Sequence, residues 1–282
     1  MTAHLVVQGA AVDTVALKQI AKHIGANAIE QIHPDAFRLR GATQKAGDAE
    51  LAALCAAAEV DYGWVPDARR LADFGVFVTD MDSTLISIEC IDEIADMVGV
   101  KAEVSEITEA AMRGEIDFAE SLTRRVALLE GLEASALDRV YKERLSLNPG
   151  AERLMKKLRA AGLYTILVSG GFTFFTDRLR DLLGFDETFA NELEIINGRL
   201  TGRVIGAIVD AKAKRDALET AASRLGLDKA ACLAIGDGAN DLAMFEGAGL
   251  SFAYRAKPVV RARASYALDH SGLDGLLPLL GA

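Results

Sequence analysis

Cysteine is scarce in this sequence: Cys55, Cys90 and Cys232 are odd in number and far apart. Such spacing builds neither a disulfide framework nor a zinc knuckle, and it suits a reducing cytoplasm. Only 5 prolines occur in 282 residues, beside 51% hydrophobic and 26% charged residues, a balance that excludes a disordered chain and leaves room for two or three compact pieces. Histidine is limited to His4, His23, His33 and His270, all outside the motifs below, so a histidine nucleophile or a His-rich metal site has little support. Positive charge is in deficit: 31 Lys and Arg against 41 Asp and Glu give a net charge of -10. Nucleic acid and acidic membrane surfaces are therefore repelled on average, and an anionic substrate has to be drawn in locally. No apolar run has the length of a membrane span, and Met1 to Gly9 lacks the basic region and long apolar core of a secretory signal. A soluble, unexported protein is expected.

What is present is alternation. His4 to Gln8 reads as strand, Thr14 to His23 as helix, Ala28 to Leu39 as extended chain, Ala49 to Ala58 as helix and Tyr62 to Val65 as strand, a small α+β module. Polar residues from Pro66 to Asp73 lead into a strand over Gly75 to Thr79, which places a boundary there. From Glu89 to Leu145 the spacing turns helical, with Ile91, Ile94, Met97 and Val98 on one stripe and Phe118, Leu122 and Val126 on another. After the turn signal Asn148-Pro149-Gly150, alternation resumes: helix 151–161, strand 163–168, helix 173–183, a hairpin-like section at Asn197-Gly198, helix 213–225 and strand 231–235. Strands separated by helices predict a mostly parallel sheet, and the helical block reads as an insertion after its first strand, either a lid or an extension of the core.

Four local patterns carry chemistry. Asp80-Met81-Asp82-Ser83-Thr84 follows an apolar strand, and in a parallel sheet the carboxyl ends of strands line the ligand crevice. Two acids one residue apart suit one carboxylate that attacks and one that manages protons; the plainer alternative is a helix N-cap. Ser169-Gly170-Gly171 after Ile166 to Val168 offers a hydroxyl and glycines opening a helix, an anion site or merely a tight turn. Gly236-Asp237-Gly238-Ala239-Asn240-Asp241 after Leu233 to Ile235 places acids where a hard cation such as magnesium binds, the alternative being a turn without metal. Lys214, at a helical start, is ordinarily a solvated charge, but in this company its ammonium offsets repulsion between an aspartate nucleophile and a phosphate dianion.

The order Asp-x-Asp-x-Thr, Ser-Gly-Gly, Lys and Gly-Asp-Gly-x-Asn-Asp resembles the haloacid dehalogenase superfamily from about Gly75 onward. Glu89 to Ala95, Ala111-Met112-Arg113-Gly114 with Asp117-Phe118, and Thr123-Arg124-Arg125-Val126 are similar to the cap of its phosphoserine phosphatases. The resemblance implies a Rossmann-like three-layer α/β core over 74–282 with a helical cap at about 86–148, preceded by a small ACT-like, ferredoxin-like α+β domain over 1–70. It implies magnesium-dependent hydrolysis of phosphoserine in the cytoplasm, with Asp80 as nucleophile and Asp82 as acid and base. Asp80, Asp82, Asp237 and Asp241 would serve the metal, while Ser169, Gly170, Lys214 and Asn240 would hold phosphate. Glu89 would meet the substrate ammonium, Arg125 its carboxylate, and Met112 and Phe118 would close the lid.

Alternatives stay open at this level. A phosphotransferase passing phosphate to another hydroxyl such as homoserine shares the first half-reaction, and a phosphatase of another small phosphomonoester shares the core; a silent serine sensor would not need the four motifs together. The loop Gly9 to Asp13 lacks the Asp-x-x-Gly of ACT ligand loops, which leaves dimerisation, giving a homodimer through the first domain, or scaffolding beside serine binding.

Overall fold

The computed structural model describes residues 3–43, 45 and 47–282. The first unit runs β1 (Ala3–Gln8), α1 (Thr14–His23), β2 (Ala28–His33), β3 (Ala36–Arg40), α2 (Ala49–Ala57) and β4 (Asp61–Pro66), in an antiparallel sheet of order β2-β3-β1-β4. This is the βαββαβ, ferredoxin-like order. The segment read as one extended stretch from Ala28 is two strands broken at Pro34 and Asp35, and the proline lies in the turn between them. Asp13 starts α1 by accepting from the Ala16 N–H at 2.8 Å. Leu5 and Val7 of β1 pack with Leu17, Ile20, Leu51 and Cys55 of the two helices, while Val6 between them joins the main core on the opposite face.

The second unit begins with β5 (Val76–Thr79), followed by the helical insertion α3 (Cys90–Val98), α4 (Lys101–Met112), α5 (Phe118–Ala127) and α6 (Ser135–Glu143). It continues through α7 (Ala151–Ala160), β6 (Tyr164–Phe172), α8 (Thr173–Leu183), β7 (Glu187–Ile196), β8 (Arg199–Ile205), α9 (Ala211–Leu225), β9 (Cys232–Gly236), α10 (Leu242–Gly247), β10 (Leu250–Tyr254), α11 (Pro258–Arg261) and β11 (Tyr266–Leu268). The seven strands are ordered β11-β10-β9-β5-β6-β7-β8 and are parallel except for the β7–β8 hairpin. Its turn puts Asn197 and Gly198 at φ 52° and 77°, a conformation that Asn-Gly adopts with little strain. β5 and β9 are buried along their whole length because helices cover both sheet faces: Phe77, Leu167 and Leu233 face one core, Val76, Val78, Ile166 and Ala234 the other.

The inserted helices extend the core, since Ile91, Ile94, Leu122, Val126 and Val140 join the main cluster. Their two connections to the sheet run side by side, with Ile86 bridging Leu147 and the Ser87 N–H donating to the Ser146 carbonyl at 3.0 Å. The buried Asn148 pins this hinge by donating to the carbonyls of Thr84 and Ile86 at 2.8 and 3.0 Å.

The seam between the two units combines apolar packing, in which Val6 and Val65 join the main core, with specific polar contacts. The carboxylate of Asp61, at the start of β4, is buried and accepts from three consecutive amides: Asp269 at 2.8 Å, His270 at 3.2 Å and Ser271 at 2.8 Å. Tyr266 donates its hydroxyl to the Trp64 carbonyl at 2.7 Å. A Cβ at Gly63 would lie 2.6 Å from the Tyr266 ring, so this contact requires glycine.

Candidate active site

Asp80 follows β5 and Asp237 follows β9, its neighbour in the sheet, so both acids emerge at the same edge. Beyond Asp80 the chain turns sharply, with Ser83 held at φ 55°. Asp80 accepts from the Met81 N–H at 2.7 Å through Oδ1, while its Oδ2 lies 2.7 Å from Lys214 Nζ. Lys214, in the first turn of α9, is 1% exposed and also reaches Asp241 Oδ1 at 2.8 Å. The other oxygen of Asp241 accepts from the N–H groups of Asp237 and Gly238 at 3.1 and 3.0 Å. A Cβ at Gly236 would meet the Asp241 side chain at 2.3 Å, which explains the glycine before Asp237. Asp82 sits apart from this knot: its Oδ1 accepts from the Cys90 N–H at 3.0 Å, and Ser169 Oγ is 3.5 Å from its Oδ2.

Charge in the knot does not balance. Asp80, Asp237 and Asp241 offer carboxylate oxygens within 4.8 Å of one another, against the single ammonium of Lys214. Burial and the neighbouring Asp241 push Asp80 well above the ordinary carboxylate range, and the same two causes move Asp237 up to about 6. Burial alone would lower Lys214, but Asp241 and Asp80 outweigh it and hold the ammonium charged. Three clustered hard oxygen donors short of positive charge fit a divalent cation.

The cap closes the other side of a cavity of about 140 Å³. Asp80, Asp82, Ser169, Gly170, Asp237 and Asn240 face it from the sheet, and Glu89, Phe118 and Arg125 from the cap. Glu89 accepts from Ser83 Oγ at 2.6 Å; burial and the nearby Asp82 raise its carboxyl to about 7. Arg125 is brought in by α5, which Asp117 caps by accepting from the Glu120 N–H at 2.8 Å. A Cβ at Gly170 would lie 2.8 Å from the Phe118 ring, so cap and sheet meet closely there. Met112 is the expected residue that the fold leaves outside: it ends α4, is 66% exposed, and its sulfur lies 3.9 Å from Lys257 Nζ.

Two features depart from the sequence reading. Ser169, Gly170 and Gly171 do not open a helix: β6 continues to Phe172 and α8 begins at Thr173. The Gly171 N–H donates instead to Ser169 Oγ at 2.8 Å and orients that hydroxyl. Thr84 has no role assigned by the sequence pattern, yet its hydroxyl donates to Asp237 Oδ1 at 2.8 Å and ties the two acidic loops together. Its signal was in the Asp-x-Asp-x-Thr spacing, where the last residue needs a reason to be a hydroxyl.

Comparison with known proteins gives consistent results. The family model described as haloacid dehalogenase-like hydrolase matches residues 77–246, and one described as a domain of unknown function, DUF4072, matches residues 5–51. A phosphoserine phosphatase of Polaromonas sp. is 56% identical over 220 residues, spanning 76% of this chain and 93% of the relative. The unliganded crystal structure of a probable phosphoserine phosphatase from Vibrio cholerae superposes with a TM-score of 0.86 at 37% identity, covering 99% of this chain and 86% of the other. A HAD family hydrolase from Salmonella enterica gives a TM-score of 0.89 at 30% identity, with 99% of both chains covered.

Proposed function

Since this chain belongs to the haloacid dehalogenase-like hydrolases, and among them to the phosphoserine phosphatase family, we infer that it hydrolyses O-phosphoserine to serine and phosphate. The observation that carries the substrate is the pair of opposite charges on the cap, Glu89 and Arg125, facing the acidic and hydroxyl-bearing sheet edge across one small cavity. A free amino acid has one positive and one negative end. A carboxylate and a guanidinium fixed on the same lid recognise both, the guanidinium with paired hydrogen bonds.

In this reading Asp80 attacks phosphorus as the bond to the serine oxygen breaks, and Asp82 gives that oxygen its proton. Water then attacks the phosphorus of phospho-Asp80 as its bond to the Asp80 oxygen breaks, and the water proton passes to Asp82, which releases phosphate and restores the Asp80 carboxylate and the protonated Asp82. Ser169, Gly170, Lys214 and Asn240 hold phosphate oxygens in place, and positioning of this kind supplies much of the rate in phosphoryl transfer. Asp80, Asp237 and the Asp82 carbonyl would hold magnesium, with Asp241 in support; when bound, the ion neutralises charge on the phosphoryl oxygens. Phe118 would shield the site from water, with Met112 at the outer edge of the lid.

The βαββαβ order supports an ACT-like module over 1–70, followed by the phosphatase over 74–282 with its cap at 86–148. The exposed edge of β2 is where a second copy would pair. Free, buried cysteines suit a cytoplasmic setting.

Phosphate release from phosphoserine and from an aryl phosphate, measured side by side, tests the reading. Arg125→Ala should raise the KM for phosphoserine about tenfold to hundredfold, the equivalent of about 1.5–3 kcal/mol for a charged hydrogen bond. Glu89→Gln should act in the same direction, and neither should change aryl phosphate kinetics more than about twofold. Equal losses on both substrates in folded protein would mean that these residues are not the amino-acid clamp.

A pH dependence follows from the same carboxyl. Glu89 titrates at about 7, so it is neutral below that pH and ionised above it. Binding of an ammonium needs the ionised form. KM for phosphoserine, divided by that for the aryl phosphate to cancel titration of the phosphate group, should therefore rise as pH falls from 8 to 6. In Glu89→Gln the ratio should stay flat; a slope that survives the substitution would assign the titration elsewhere.

A further inference from the structure

β6 and β7 pair in register from Ile166 with Glu187 to Val168 with Phe189, and the next pair is Phe172 with Asn191. Ser169, Gly170 and Gly171 thus leave the ladder as a bulge at the edge of the cavity. Asn191, one of few polar side chains in this part of the core, fills the space behind it and is 1% exposed. Its Nδ2 donates to the Gly170 carbonyl at 2.8 Å, and its Oδ1 accepts from the Val209 N–H at 2.8 Å. Both ends of the amide are used, and each bond leads to a phosphate-binding element.

On the first side, the carbonyl of Gly170 and the N–H of Gly171 belong to one peptide plane. That N–H donates to Ser169 Oγ at 2.8 Å, and the hydroxyl lies 3.5 Å from Asp82 Oδ2. On the second side, Val209 precedes Asp210, which caps α9 by accepting from the Ala213 N–H at 2.9 Å. The next residue is Lys214, 2.7 Å from Asp80. A single buried amide therefore joins the bulge that holds Ser169 to the start of the helix that holds Lys214.

We propose that Asn191 is a positioning residue for phosphoryl transfer, setting the Gly170–Gly171 peptide plane and locking it to the start of α9 so that Ser169 and Lys214 keep their spacing around the phosphate. It touches no substrate; it acts through Ser169 and Lys214. The inference rests on the phosphatase reading but not on phosphoserine as the substrate. Leucine matches the shape of asparagine but leaves the Gly170 carbonyl and the Val209 amide unpaired, which frees the bulge to rotate. Serine keeps a hydroxyl that can donate and accept but is one bond shorter than the amide, so it restores the bridge only in part.

The test is steady-state kinetics of Asn191→Leu and Asn191→Ser on phosphoserine and an aryl phosphate, with rates normalised to the folded fraction by circular dichroism. A misplacement near 1 Å costs up to about a hundredfold in rate. Asn191→Leu should accordingly lower kcat about tenfold to hundredfold on both substrates and weaken competitive inhibition by orthovanadate. The preference for phosphoserine over the aryl phosphate should stay within about twofold of the parent's, because the clamp on the cap is untouched. If the leucine variant does not fold, the serine variant carries the test with the same signs and a smaller fall. A folded variant that keeps kcat and vanadate inhibition within about twofold of the parent, whatever its melting temperature, would overturn the proposal, since Asn191 would then serve packing alone. A loss confined to phosphoserine would also overturn it. If the parent turns over only the aryl phosphate, the substrate reading fails while this comparison still decides the role of Asn191.

Discussion

Asp80→Asn should leave a folded protein without measurable turnover, a fall of about 10⁴-fold or more, the scale on which loss of a nucleophile acts. The amide keeps the shape of the carboxylate and can still accept from the Met81 N–H, now 2.7 Å from Oδ1. Lys214 would retain Asp241 at 2.8 Å, and one of three crowded carboxylates would be gone, so the melting temperature should change by only a few degrees. Acid quenching during turnover of radiolabelled phosphoserine gives a direct readout. The parent should trap a label that hydroxylamine removes, as expected of an acyl phosphate, and the variant should trap none. Label that resists hydroxylamine, or that persists in Asp80→Asn, would place the covalent chemistry on another residue.

Lys214→Met should be nearly as damaging to rate and far more damaging to stability. The ammonium is 1% exposed and bridges two buried carboxylates, so its removal strands charge in the core. Breaking a buried ion pair from one side costs about 3–5 kcal/mol. Turnover should fall about a thousandfold, since a preorganised positive charge on the transferring phosphoryl group is lost. The stability loss should be smaller with millimolar magnesium than with chelator, because carboxylates freed of Lys214 hold a cation more tightly and an ion that binds only the folded state stabilises it by mass action. Calorimetry of parent and variant under both conditions checks this, and a melting temperature that magnesium raises in neither protein would show that the acidic cluster holds no metal. The sign of the pH effect is also fixed. In metal-free protein Asp237 is raised from 3.8 to about 6, so the folded state binds its proton more tightly than the unfolded state does. Its burden on stability is fully present above pH 6, shrinks as pH falls from 6 toward 3.8, and is absent below that.

Elements with strong local signals were legible in the sequence. Thr173–Leu183 was bounded to the residue, because an apolar stripe ends at Gly184, whose φ of 74° stops the helix. Two of the four patterns, at Asp80 and at Asp237, fell at strand ends because Val76–Val78 and Cys232–Ile235 are uniformly apolar and each run is soon followed by acids and small residues. What failed depended on partners distant in sequence. Ser169-Gly170-Gly171 looked like the start of a helix, since glycine serves bulges and helix entries equally; only pairing with β7 separates the two. Asn191 carried no local signal at all, being one polar residue in a strand whose partners are Gly170 and Val209. Met112 came from resemblance alone, and the fold places it at the rim of the lid, beside Lys257.

The seam at Asp61 has a consequence for how the chain acquires its structure. The amides that receive this carboxylate lie 208, 209 and 210 residues further along the chain. During synthesis the βαββαβ unit is complete long before Asp269, His270 and Ser271 exist, and until then Asp61 faces water. Docking thus closes one of the longest loops in the molecule, a step whose entropic cost is met only after the seven-stranded sheet has added its edge strand β11. Two-stage refolding is the signature: burst recovery of secondary structure, then a slower phase in which the amides of Asp269, His270 and Ser271 gain protection from hydrogen exchange as they meet Asp61.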